Sequence, residues 1–216
     1  MVQAVLLSIQ VGMPQVFDNG DPARRPWLSA FIKKPVAGPI WLGRTNLAGD
    51  VQADLQNHGG PDKAVLAYAA AHYMNWRVEL GRPDLPYGAF AENFTVDGLD
   101  EWTVCIGDVY AIGETQVQVS QPRQACWKIS RRWGIEDLTE RVVATGRTGW
   151  YFRVLVEGYV EPGLPVILLH RPFPQWTVAR ATEVMRHRRT LPDAARELAA
   201  CPLLSAHWRE TLLIAR

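Results

Sequence analysis

Cysteine is scarce in this sequence: three in 216 residues, at Cys105, Cys126 and Cys201. An odd number so widely spaced supports no disulfide framework, and a reducing cytoplasm is the setting it points to. An excess of one charge is also missing, because 23 basic side chains meet 22 acidic ones. A formal net charge of +1 gives no broad argument for nucleic acid or for a membrane surface. No apolar run approaches the ~20 residues that span a bilayer. Residues Met1 to Ile9 carry neither a basic leader nor a small-residue cleavage site, so they read as a strand rather than a signal peptide. Zinc-ligand spacing, a P-loop and a dinucleotide fingerprint are absent, as are flavin, haem and iron–sulfur motifs. The 15 prolines and 17 glycines are scattered, which argues against a disordered or collagenous segment. No internal repeat and no low-complexity tract is found.

What is there is an ordinary core-forming composition, 48% hydrophobic, arranged up to about Pro172 as short extended segments broken by Gly and Pro. Val104–Tyr110 and Thr115–Ser120 read as neighbouring strands joined by a glycine-containing turn over Ala111–Glu114. Val117 and Val119 alternate with Gln116 and Gln118, the period-two pattern of a half-buried strand. Tyr151–Val156 is another strand, with Phe152, Val154 and Val156 on one face and Tyr151 with Arg153 on the other. Val166–Leu169 is a short, wholly apolar one. So many short strands predict a mainly β fold closed, or nearly closed, into a barrel. Helices interrupt it over Ala69–Leu80, ended by Gly81, and from a capping box at Asp137–Glu140 to Gly146.

After Pro172-Phe173-Pro174 the pattern turns helical. Val178, Ala181 and Met185 mark one face; Leu191, Ala194, Ala195 and Leu198 a second; Leu204, Trp208 and Leu212 a third. Residues 1–172 are therefore expected to form the barrel and residues 173–216 a three-helix domain. Three such helices are too small to be stable alone. They are expected to pack on the barrel or on a second subunit, which leaves a homodimer open.

Four stretches could carry chemistry. In the run Ser120 to Lys128, a strand leads into Pro122 and a short helix is expected to begin near Cys126. A thiol at a helix start beside Arg123 and Lys128 is expected to favour the thiolate, the form needed in a soft metal ligand or a nucleophile. The plainer reading is a small buried hydrophobe, and composition leaves the two even. His58-Gly59-Gly60-Pro61-Asp62-Lys63 is a tight turn before a strand, whose amides, imidazole and ammonium could hold an anion. On residues alone, an ordinary turn with a solvated Asp-Lys pair is the simpler account. Glu92 and Asn93 interrupt an apolar strand entry, where a carboxylate, if buried, must meet a cation or a ligand donor, and a surface turn is an equally good reading. Arg153 points into the barrel if Phe152 and Val154 point out, and periodicity does not decide between the two faces. Cys105 and Cys201 read as core. His72, His170, His187 and His207 form no ligand spacing.

Taken in order, His58 to Val65, Glu92-Asn93, Ile106-Gly107-Asp108, Gln121-Pro122-Arg123 with Cys126 and Lys128, and Gly149-Trp150-Tyr151 resemble the MOSC family. The name denotes the C-terminal domain of molybdenum cofactor sulfurase. The match is to its YiiM-like branch, which carries a three-helix domain after the barrel. One departure is Ala91, where glycine is expected before the Glu-Asn pair. The resemblance implies a β-barrel whose hollow holds the molybdenum cofactor (Mo-molybdopterin), with the Cys126 sulfur on the metal. Arg123, Lys63, His58, Asn93 and Arg153 become candidates for the pterin phosphate and ring. Lys128 joins the cofactor-binding set, and Glu92 and Tyr151 become pocket-lining groups. Related members reduce small N-hydroxylated compounds, including hydroxylaminopurines and amidoximes, with electrons from a separate flavoprotein or cytochrome.

The expectation is therefore a cytoplasmic oxidoreductase for N-hydroxylated substrates, dependent on an external electron donor. Two other classes stay open: a carrier of the cofactor, or of sulfur as a Cys126 persulfide, and a metal-free enzyme with Cys126 as nucleophile. The cluster Arg186-His187-Arg188-Arg189 invites a nucleic-acid reading, since the chain from Arg171 onward holds eight arginines and four acids. A solvated helix end is the simpler account, with a docking surface for an acidic reductase behind it.

Overall fold

The computed structural model describes residues 3–18 and 25–214. The first two residues of the expected N-terminal strand and the last of the tail arginines, Arg216, lie outside the described residues. The N-terminal half opens with β1 (Ala4–Val11), β2 (Gln15–Phe17), β3 (Trp27–Ser29), β4 (Lys34–Pro35) and β5 (Ile40–Leu42). A four-residue helix α1 (Leu55–His58) and a 3-10 turn (Pro61–Lys63) lead into β6 (Val65–Ala69), followed by α2 (Ala71–Glu79) and β7 (Phe94–Asp97). The second half holds β8 (Val109–Ile112), β9 (Thr115–Pro122), α3 (Lys128–Trp133), α4 (Leu138–Thr145) and β10 (Trp150–Val156). It ends with β11 (Gly158–Val160), β12 (Pro165–His170), α5 (Val178–Arg186), α6 (Pro192–Ala199) and α7 (Ala206–Leu213).

Seven of these strands form a closed barrel in the ring order β1, β12, β8, β9, β10, β6, β7, because β1 pairs with both β7 and β12. Closure removes the unpaired edges that a sheet of short strands would otherwise expose. All neighbours are antiparallel except β6 and β7. The interior is packed rather than hollow: Leu6, Val65, Phe94, Val117, Trp150 and Phe152 belong to one buried cluster. Phe152 and Val154 thus point inward, and Tyr151 and Arg153 lie on the outer face. A second cluster, with Tyr73, Trp76, Phe90, Ile129, Leu138 and Val142, glues α2, α3 and α4 to the outside of the barrel.

Two local expectations need correction. The strand expected over Val104–Tyr110 starts only at Val109 and runs on to Ile112, with the turn at Gly113. The reason is Asp108, whose buried carboxylate accepts from the Cys105 amide (2.9 Å), the Tyr110 hydroxyl (3.0 Å) and the Arg171 guanidinium (2.6 and 2.9 Å). That fixes Ile106-Gly107-Asp108 as a corner instead of a strand. Asp137 makes no side-chain cap, because its backbone is already helical (φ −87°, ψ 0°) and not in the extended shape that lets a carboxylate reach back. Thr139 bonds to Ser130 instead (Oγ1···Oγ 2.8 Å) and so clamps α4 to α3.

The tail forms the three helices expected of it, and they pack on the barrel. Val178, Ala181, Leu198 and Trp208 sit in the same cluster as the barrel interior. The Ser205 amide donates to the Ser120 carbonyl (2.9 Å), and Leu203 approaches so near Gly107 that a Cβ there would stand 2.8 Å from it. No helix among the described residues is long and apolar enough to cross a membrane. Because the core is shared, Leu198→Ala is expected to cost about 2–5 kcal/mol and to lower a single unfolding transition followed by circular dichroism and fluorescence. Two separate transitions, the barrel's unchanged, would contradict a shared core.

Candidate active site on the outer face of the barrel

The register of three strands builds the floor of the site. Leu66 on β6, Tyr151 on β10 and Gln121 on β9 lie directly opposite one another, which puts their side chains in one row on the outer face. Simple alternation along β9 would turn Gln121 inward with Val117 and Val119. A register shift intervenes, since Phe152 faces Val119 while Tyr151 faces Gln121. A β-bulge of this kind re-aims a side chain, and the Ser120 hydroxyl secures it, with the carbonyls of Asp62 (2.5 Å) and Tyr151 (3.1 Å) both in reach of its one proton.

Against this floor lies a cleft. Seven residues singled out from sequence line it: Cys126, His58, Lys63, Asn93, Arg123, Lys128 and Tyr151. The hollow expected inside the barrel is thus a cleft outside it, because bulky side chains fill the interior. Cys126 is half-buried and not sealed in the core. It precedes α3 instead of starting it, and its carbonyl is held by the Ile129 amide and the Thr139 hydroxyl, both at 3.1 Å. Cys126 also lines a second, larger cleft with Trp27, Gln121, Trp127 and His207, so the thiol stands where the two meet.

Two residues of the expected set are not brought to either cleft. Glu92 is fully buried and accepts from the Gly88 amide (2.7 Å), the Phe90 amide (3.2 Å), the Thr95 hydroxyl (3.1 Å) and the Tyr73 hydroxyl. Its carboxylate is consumed in shaping the loop before β7. Arg153 lies on the outer face but turns away, pairing with Asp62 (2.8 Å) and Gln118 (3.1 Å). It pins down the Pro61–Lys63 turn, and it replaces the Asp-Lys pair, as Lys63 donates to the Asn57 carbonyl (2.7 Å). Asn93 does line the cleft, but its amide is fully engaged with the Leu66 amide (3.1 Å), the Gln10 carbonyl (3.1 Å) and Asp50 (2.9 Å).

The electrostatics single out one group. Arg123 is 5% exposed, yet its guanidinium makes only a 3.5 Å bond to the Thr148 carbonyl and meets no carboxylate among the described residues. A buried, unpaired charge costs on the order of several kcal/mol, so such a group calls for an anion. Its backbone is fixed: the Arg123 amide donates to the Gly149 carbonyl (3.0 Å), and the Gly149 amide donates to buried Glu101 (2.6 Å), itself bonded to His72. Gly149 can have no side chain, because a Cβ would lie 2.4 Å from the Ala67 carbonyl oxygen. Lys33, missed in the sequence, adds a buried ammonium against Asp50. Four cations (Lys33, Lys63, Arg123, Lys128) thus line the cleft against two carboxylates, Asp50 and Asp54. Asp50 is taken by Lys33, Asn93 and the Gly12 amide, and Asp54 by capping α1.

The titration directions follow. Burial pushes the His58 imidazole below its usual value, and Lys128, Lys63 and Arg123 push the same way, so it is neutral at neutral pH. Burial also lowers the Lys63 ammonium, against Asp54 and Asp62, and the Lys33 ammonium, against Asp50. The Tyr151 phenol is raised, mainly by burial, and stays a hydrogen-bond donor. Hydrogen-bond donors, positive charge and the Cys126 thiol thus line one cleft.

The MOSC domain family matches residues 54–167, more than half of the chain, from α1 to β12. The chain belongs to the MOSC family. The YiiM-like, 3-alpha helix domain matches residues 176–213, the segment that holds α5, α6 and α7. YflK of Bacillus subtilis (strain 168) is 42% identical over 208 residues, 96% of this chain and 92% of that protein. The crystal structure of YiiM from Geobacillus stearothermophilus is 38% identical and superimposes with a TM-score of 0.81, covering 97% of both chains. A protein of Gibberella moniliformis named "Reductase" is 36% identical over 178 residues, 81% of this chain and 32% of that longer protein.

The departure at Ala91 has a measurable consequence in this MOSC chain. Ala91 lies at φ +66°, and no other non-glycine described has a positive φ. That conformation costs an L-residue about 1–2 kcal/mol, against the ~0.4–1 kcal/mol of extra chain entropy a glycine loses. Ala91→Gly is therefore expected to raise the melting temperature by about 1–4 °C; a lower one contradicts strain at this position.

Proposed function

We propose that this MOSC protein binds the molybdenum cofactor, with the Cys126 sulfur as protein ligand to the metal, and reduces small N-hydroxylated compounds. The observation that carries the reading is the buried Arg123 guanidinium, without a carboxylate, in the cleft that the Cys126 thiol closes. A pterin phosphate is an anion of the required kind, and a thiolate is a fitting ligand for a soft metal. Arg123, Lys63 and Lys128 would take the phosphate, with neutral His58 and the Tyr151 phenol as further donors. Glu92, Asn93 and Arg153 act through the loops they brace.

When bound, the cofactor supplies two-electron redox chemistry and an oxygen acceptor. Conversion of R–NHOH to R–NH2 breaks one N–O bond, takes up two electrons and two protons, and releases water. The chain's own residues bind, orient and exclude solvent. The electrons come from a separate flavoprotein or cytochrome, and a relative that carries the name reductase supports an oxidoreductase. A reducing cytoplasm remains the proposed compartment, since a free thiol ligand must stay reduced.

Protein purified from a cofactor-competent host is expected to hold about one molybdenum per chain, as a single resident cofactor requires. Cys126→Ala should lose it, and Arg123→Gln should weaken its retention on the order of tenfold or more, the worth of a charge-assisted bond. With a low-potential donor, the loaded protein should reduce benzamidoxime. A loaded protein without turnover would make the chain a carrier, and a metal-free wild type bearing a Cys126 persulfide would make it a sulfur relay.

A further inference from the structure

Helix α3 opens two residues after the thiol and carries Lys128, Arg131 and Arg132, spaced three and four apart and so turned to one side. None of the three has a carboxylate partner among the described residues. Arg131 lies instead over the indoles of Trp27 (5.6 Å) and Trp127 (5.5 Å), and Arg132 over Trp133 (4.7 Å). Arg131 also donates to the carbonyl of Arg25, which brings that exposed arginine alongside. Of the carboxylates nearby, Glu136 and Asp18 are already engaged and Asp54 caps α1. Beside α3 stands the β2–β3 hairpin, a two-stranded sheet with no strand pairing to the barrel. Phe17 and Trp27, directly opposite, stack at 4.6 Å, and Trp27 packs at 5.5 Å on Trp127. Alternation turns the next pair, Val16 and Leu28, to the other face, where they are 67% and 53% exposed. Trp127 is 52% exposed, and with Leu28 and Lys128 it lines the outer cleft that Cys126 shares. Folding gains little from an aliphatic pair held in water. Apolar and aromatic residues flanked by cations are what an interface with an acidic protein needs.

We infer that this face, with Val16, Leu28 and Trp127 flanked by Arg25, Lys128, Arg131 and Arg132, is where an electron-carrier protein with an acidic surface docks. The inference rests on the redox reading for why electrons must arrive, and goes beyond it by placing the partner. Electron transfer between proteins falls off steeply with distance. Trp127 follows Cys126 directly in the chain, so a carrier seated on it stands at the mouth of the thiol's cleft. Two electrons leave the carrier and, with two protons from solvent, convert R–NHOH to R–NH2 and water. The cations steer the carrier in, the apolar residues hold it, and salt weakens the steering. The arginines at the end of α5 line neither cleft, which favours α3 over the tail.

The test is benzamidoxime reduction by molybdenum-loaded protein, driven either by reduced flavodoxin, an acidic carrier, or by reduced methyl viologen, a small dye that needs no docking. Arg131→Glu combined with Arg132→Glu, and separately Val16→Asp, should each raise the KM for flavodoxin about tenfold. The wild-type KM should rise by a similar factor in about 0.3 M salt. Viologen-driven turnover and molybdenum content should stay within about twofold of wild type, as should the flavodoxin KM of Arg186→Glu combined with Arg189→Glu. Equal losses with both donors, a flavodoxin KM indifferent to the α3 and hairpin changes, or equal damage from the tail pair overturns the inference. So does flavodoxin that delivers no electrons to a wild type that viologen drives. A wild type that viologen cannot drive refutes the redox reading instead, and calorimetric titration of flavodoxin against the same variants then decides the docking by itself. A two-subunit protein that Val16→Asp splits, seen by sedimentation, would assign the face to a second copy and also overturn it.

Discussion

The site depends on a positive charge that the fold buries and leaves unanswered. Arg123 is enclosed next to Lys63 and Lys128, while the two carboxylates nearby are committed elsewhere. Folding alone gains nothing from such an arrangement, because removing a guanidinium from water without a partner is costly. The cost is tolerable only if the surrounding structure holds the group in place and an anion recovers the energy on binding. The buried His72–Glu101 pair supplies that hold, acting through Gly149 on the Arg123 backbone. A buried polar network thus terminates at the cleft.

Why the cleft lies outside the barrel follows from strand number and side-chain size. Seven short strands enclose a space that Trp150, Phe152 and Phe94 already fill, so there is no room within for a cofactor. The outer face of β6, β9 and β10 is available because α2, α3 and α4 cover its neighbouring part and leave the edge free for loops. Those loops are tied down one by one: the Pro61–Lys63 turn by Arg153, the loop before β7 by Glu92, and the Cys126 segment by Thr139. Two of these braces, Arg153 and Glu92, are residues that look like ligands in the sequence.

Much of the architecture was legible because period-two alternation survives wherever a strand has one wet and one packed face, as in Phe152–Val154 against Tyr151–Arg153. The helical tail was legible for the equivalent reason at period 3.6. Alternation could not say which face of the ring was inside, and that ambiguity put Arg153 in the expected binding set. Gln121 was lost to the bulge, which breaks alternation at the one point where it matters. Lys33 and Asp50 carry no local signal, since their pairing depends on segments 17 residues apart meeting over the cleft. The Glu92 reading was right that a buried carboxylate must be satisfied, and wrong to look for a ligand, because amides and hydroxyls within the fold suffice.

The central claim is that one sulfur and one uncompensated guanidinium grip a metal–pterin complex from two sides. Its most direct test is X-ray absorption at the molybdenum edge, on loaded wild type and on Cys126→Ser reconstituted with the same cofactor. The account predicts that the sulfur coordination of the metal falls by one in the variant. Identical spectra from the two proteins would place the metal elsewhere and contradict it.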